Sequence, residues 1–172
     1  ARLDITMHQT MRMSIAQRSA QGFQINQRLL DRQHFALAQD IGFKTAPLIS
    51  PDMFPRFTLP RYRTAMDFAH AHGVELTWYD SDGDVREFIP DYLEVGINGL
   101  MPCEVAAGMS PAELRPRFGR ELRMGGGVDK REIAKGPLAI DAEIARLLPV
   151  IREGGYAPGI DHSVPADISW DN

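Results

Sequence analysis

From His34 onward, short apolar runs alternate with longer stretches whose apolar residues recur at helical spacing. The runs 34–40, 75–79, 97–101, 122–126 and 156–160 have the length and boundaries of buried strands. Between them, 51–72, 85–95, 111–118 and 130–153 read as helices, the last with a break near Gly136-Pro137. Strand and helix in strict alternation predict a parallel sheet covered by helices. The punctuation agrees. Ser50-Pro51 and Ser110-Pro111 place a capping serine before a proline at the first helical position, where a missing N–H costs nothing. Gly73, Gly96, Gly119 and Gly154-Gly155 follow the predicted helix ends, where a left-handed residue is wanted. Ile133, Leu138, Ile140, Ile144, Leu147, Leu148 and Ile151 space as one buried stripe.

Five βα units, the last without its helix, are too few to close a (β/α)8 barrel of about 250 residues. The expected fold is therefore α/β with about five parallel units, either an open sheet or part of a (β/α)8 barrel. Residues 1–33 stand apart as an amino-terminal arm, and residues 34–172 carry the βα units. The arm holds five arginines against Asp4 and Asp31, and all seven glutamines fall within the first 39 residues. Its apolar residues alternate at 3–7 and 11–15, as in strands, whereas 19–30 fits a helix. Open sheet edges need cover, from this arm, from a second copy in a homodimer, or from a missing half-barrel.

Composition narrows the function. A net charge of −4 gives no basic face for nucleic acid. No apolar run reaches the roughly 18 to 20 residues of a membrane span, and the amino terminus lacks the apolar core of an export signal. The one cysteine, Cys103, rules out an intrachain disulfide and suits a reducing, cytoplasmic setting.

Ligands of parallel α/β folds bind past the carboxyl ends of the strands. Those positions are polar here: Asp40 and Lys44; Asp80, Asp82 and Asp84; Cys103 and Glu104; Asp129 and Lys130; Asp161 and His162. The stretch WYDSDGD resembles a calcium loop only in composition. An EF-hand needs glycine at its sixth position and glutamate at its twelfth, between helices, whereas Gly83 is fourth from Asp80 and follows a strand. Gly83 and Asp84 suit a strand-to-helix turn; Asp80 and Asp82 are open to a functional role or to loop hydrogen bonds. Gly125-Gly126-Gly127 lacks the lysine of a phosphate loop and the spacing of a dinucleotide fingerprint, so close backbone approach is the expected cause. Asp129 is equally an N-cap, and Cys103 an inert buried thiol.

The phrases PLISPDMFPRFTLPRYR, YDSDGDVREFIPDYLEVGINGLMPCEVAAGM, MGGGVDKREIAKG and GGYAPGIDHSVPADISWDN together resemble the carboxyl-terminal portion of the uroporphyrinogen decarboxylase superfamily. That superfamily holds tetrapyrrole decarboxylases and cobalamin-linked methyltransferases, all (β/α)8 barrels, so the resemblance implies a partial (β/α)8 barrel whose carboxyl-terminal portion is residues 34–172. In the methyltransferases a histidine and a cysteine two apart, at the positions of Asp80 and Asp82, hold zinc with a later cysteine at the position of His162. The resemblance thus implies a metal set of Asp80, Asp82, Glu104 and His162, for zinc or a harder divalent ion. It implies His162, Asp82 and Glu104 as catalytic residues and Asp129, Lys130 and Asp161 as substrate-binding ones. A rim of carboxylates repels a polycarboxylate such as uroporphyrinogen, which would need arginines. The expected activity is metal-assisted methyl transfer between a small molecule and a corrinoid on a partner protein. Decarboxylation is the alternative, and an inactive partial barrel that works by self-association is another.

Overall fold

The computed structural model describes residues 23–24, 34–166 and 168–169. One six-stranded sheet runs in the order β1 (Phe23–Gln24), β2 (His34–Ala38), β3 (Leu76–Asp80), β4 (Gly99–Met101), β5 (Arg123–Val128) and β6 (Tyr156–Ile160). β1 is antiparallel to β2, and every later neighbour is parallel. Parallel strands that follow one another in chain order, each joined by a right-handed crossover, place their helices on one face and form part of a barrel wall. The expected partial barrel is the observed fold. Of the arm, Phe23–Gln24 is strand where a helix over 19–30 was expected, and the other expectations for residues 1–33 lie outside the described residues.

The helices are α1 (Leu59–Ala71), α2 (Ile89–Glu94), α3 (Pro111–Phe118), α4 (Lys130–Ile133) and α5 (Pro137–Glu153). The expected helix over 51–72 starts late. Phe54–Thr58 forms a wide π-type turn, because Pro55 and Pro60 each remove a donor from the regular ladder. A 3-10 turn, Arg86–Phe88, likewise precedes α2. Gly136, with φ of +96°, makes the expected break between α4 and α5. None of the described helices is long and apolar enough to cross a membrane.

Tyr79, Leu100 and Met124 point from three successive strands into the helical layer, each at most 2% exposed. They join Met66, Phe54, Phe88 and Tyr92 in one core; the Phe54 ring stacks on Phe88 at 4.1 Å and crosses Tyr92 at 5.5 Å between centroids, and Tyr92 lies 4.5 Å from Tyr79. Tyr62 extends this aromatic layer, and burial raises its phenol to about 12. At the end opposite the strand tips, buried Arg115 donates to the carbonyls of Gly119, Leu122, Gly154 and Gly155, tying α3 and the start of β5 to the turn before β6.

Two expectations fail in a connected way. The α5 stripe is displaced, since Leu138 and Ile144 are exposed while Glu143 is buried. Ser110 makes no side-chain cap; its hydroxyl accepts from Arg146 Nη1 at 2.8 Å. The cause is one polar network, described below, that turns α5 so that Glu143 faces the sheet.

On its far side, β6 meets no further strand among the described residues. Gly155 O and Asp161 N both bond to β5, so alternation turns the backbone of Pro158 outward. The middle of this open edge therefore carries no N–H.

Candidate functional site

The loop after β3 is docked, backbone on backbone, against the loop after β2. Gly83 has φ of +79°, and a Cβ there would lie 2.5 Å from Phe43 N. Only glycine meets both demands. Asp84 N donates to Phe43 O at 2.8 Å, and Ile41 N donates to Ser81 Oγ at 3.2 Å. Asp84 accepts from the Arg86 backbone N–H at the head of the 3-10 turn and pairs with the Arg86 guanidinium at 2.6 Å. That leaves Asp80 and Asp82 on the rim. Asp82 N donates to Asp40 Oδ1 at 3.1 Å, which brings three carboxylates together. Burial first, then the like charges of Asp82 and Asp40, raise the Asp80 carboxyl above its ordinary value, against a smaller pull from His162.

After β4, a cis Met101–Pro102 peptide leads into Cys103 and Glu104. Cys103 is fully buried, and burial pushes its thiol up to about 12, so it is inert as a nucleophile. Glu104 Oε2 accepts from Gly83 N at 3.2 Å, linking the ends of β3 and β4.

At the end of β5, Gly126 and Gly127 have φ of +85° and +78°. A Cβ on Gly127 would collide with the Pro111 ring, so close approach accounts for the glycine run. Asp129 is the N-cap of α4: it accepts from Arg131 N at 2.9 Å and from the Arg131 guanidinium at 2.6 Å. Its own N–H donates to Glu143 Oε1 at 3.0 Å, and Arg146 grips both oxygens of Glu143 at 2.7 Å. This places Lys130 Nζ 3.9 Å from Glu104 Oε1 and 3.9 Å from Asp161 Oδ1.

At the end of β6, Asp161 is wholly buried. Its two oxygens accept from Val105 N and Lys130 N, each at 3.2 Å, so it fastens the loops after β4 and β5 to β6. Burial still raises its carboxyl, outweighing Lys130 and those N–H groups. His162, the next residue, reaches across to Asp82, with Nε2 at 3.2 Å from Oδ2.

The rim therefore brings together Asp80, Asp82, Glu104, Lys130, Asp161 and His162, while Asp129 is engaged by Arg131. Eighty residues separate Asp82 from His162, yet the two side chains touch and both stay accessible, at 47% and 36% exposure. With Nε2–H directed at Asp82, the imidazole Nδ1 has no hydrogen-bond partner among the described residues. Among those residues, no group of three or more His, Cys, Asp or Glu side chains is placed to hold a metal ion. Sequence reasoning missed Glu143 and Arg146. The available signal was a carboxylate inside an otherwise apolar helical stripe, which needs an inward partner.

The chain matches no family model and no curated protein. Among solved structures, it is similar to a methyltransferase from Methanosarcina mazei, with a TM-score of 0.54 and 23% sequence identity over 78% of this chain. The match spans 39% of that methyltransferase, and at this identity the likeness is one of fold alone: the chain shares the α/β architecture of part of that protein.

Proposed function

We propose that the chain is the carboxyl-terminal part of a methyltransferase barrel like those of the uroporphyrinogen decarboxylase superfamily, passing a methyl group between a small molecule and a corrinoid carried by a partner protein. The observation that carries this reading is the Asp82–His162 contact, which joins the ends of β3 and β6 inside a rim of carboxylates with one lysine. A methyl group bound to oxygen or nitrogen leaves more readily when the leaving atom carries a proton or a positive charge. The rim favours that state. Asp82 fixes the ring of His162, and the open Nδ1 is the atom that holds a proton against a leaving heteroatom that is not already charged. Asp80, Asp82 and Asp40 stabilise the positive charge there. Among the described residues no third His, Cys, Asp or Glu is placed with this pair to hold a metal ion, and no step is routed through one.

The rim also favours methyl transfer over decarboxylation of a tetrapyrrole in this reading. Asp40, Asp80, Asp82 and Glu104 stand with Lys130, which is itself paired with Glu104 and Asp161, so a substrate with many carboxylates would be repelled. The test is the full-length protein with a methylated small molecule and a reduced corrinoid protein, followed by the corrinoid absorbance. Methyl transfer that falls by about 100-fold or more in His162→Ala is expected, the usual size of a lost acid–base group. Turnover of uroporphyrinogen instead would replace this reading with the lyase. A parallel titration with zinc, cobalt and manganese, comparing the wild type with His162→Ala, decides whether a metal joins the pair.

A further inference from the structure

Among the described residues, the concave face of the sheet, opposite the helices, carries a large aromatic side chain, Trp78, just below the rim. Tyr79 points into the helical layer, so Trp78 and Asp80, its neighbours along β3, face the other way. Two glycines make room for the indole. A Cβ on Gly99, which pairs with Trp78 across β3 and β4, would lie 2.6 Å from Trp78 Cε3; one on Gly125 would lie 3.6 Å from Cζ3. Neither glycine has a positive φ, so what they supply is space, and the ring lies over β4 toward β5. Met101, 40% exposed, ends β4 on the same face as Gly99. Asp80 stands about 7 Å further along the strand, next to Asp82 and Asp40.

We propose that this concave face binds a methylated ammonium group, with the methyls against the Trp78 indole and Met101 and the charge facing Asp80 and Asp82. An aromatic face attracts a cation through its ring quadrupole, and methyl groups prefer an apolar wall to water. A neutral ligand of the same shape would satisfy the indole and leave the carboxylates without a partner. An anionic one would be repelled by them. The inference rests on the methyltransferase reading for its location but not for its test: a methylated ammonium nitrogen leaves as a neutral amine that keeps its electron pair, and the methyl joins the electron pair of the reduced corrinoid.

The experiment is calorimetric titration of the full-length protein with choline and with its uncharged isostere, 3,3-dimethylbutan-1-ol. Choline should bind at least about tenfold more tightly, since a desolvated cation over an indole supplies a difference of that order. Trp78→Leu should weaken choline at least about tenfold, Trp78→Phe should restore part of it, and Asp80→Asn should narrow the preference over the isostere. Equal binding of the two ligands, no binding of choline, or choline affinity unchanged in Trp78→Leu would overturn the proposal. Should Trp78→Leu fail to fold by circular dichroism, an unchanged preference in Asp80→Asn overturns it instead. Choline bound without methyl transfer rejects the methyltransferase reading alone. Methyl transfer from an uncharged ether, with no choline bound, rejects this inference alone.

Discussion

Asp161 shows why a residue at a strand tip cannot be assigned a role from position alone. Its carboxylate is fully buried and spends both oxygens on backbone N–H groups from two different loops. Through those bonds it positions Glu104 and Lys130. Asp161→Ala removes both acceptors and should cost about 2 to 4 kcal/mol, since a buried donor left unsatisfied costs about 1 to 3. Asp161→Asn keeps one acceptor and should cost clearly less; urea unfolding of the two variants measures the difference. His162 is the opposite case, an accessible side chain bonded to another accessible side chain, Asp82. Arg115 is structural again, with four carbonyl acceptors at the far end of the sheet and its Nε 3.6 Å from Glu153.

The strands and helices were largely legible, because alternation, proline and glycine report directly on backbone preference. The expected helix over 111–118 is α3 to the residue, and the break at Gly136 falls where the proline marks it. Misplaced features share a cause that local pattern does not carry. Glu143 sits among apolar neighbours and looks like an outlier on an exposed face, yet Asp129 N–H and Arg146 draw it inward, leaving Leu138 and Ile144 exposed. Ser110 looks like a cap but is taken by the same Arg146. The rim residues were found by the rule that ligands gather past strand ends, whereas the contact between Asp82 and His162 spans most of the fold and no spacing encodes it. Close packing at the end of β5 is testable. Gly127→Ala combines a positive φ with a collision against Pro111, and should destabilise by about 2 kcal/mol or more, read as a lowered denaturation midpoint.

Across the molecule, buried and half-buried carboxylates fall into two groups with opposite pH responses. Hydrogen bonds from Arg86, Arg131 and Arg146 hold Asp84, Asp129 and Glu143 below the usual carboxylate range. Their stabilisation is complete above the unfolded value of about 4 and is lost as pH falls through the lower folded values. Burial raises Asp80 and Asp161, so each favours the fold in its protonated form, a contribution that fades as pH rises from about 4 through the folded value. Glu143→Gln should therefore lose less stability between about pH 6 and 3 than the wild type does, as urea midpoints at the two values would show. The sheet edge has a different consequence. With Pro158 at its centre, β6 offers a passing strand no continuous row of donors, so an adventitious extended chain finds a poor template there. A strand that pairs at that edge must be recognised by its side chains, which makes pairing there selective where an unbroken ladder would have been sticky.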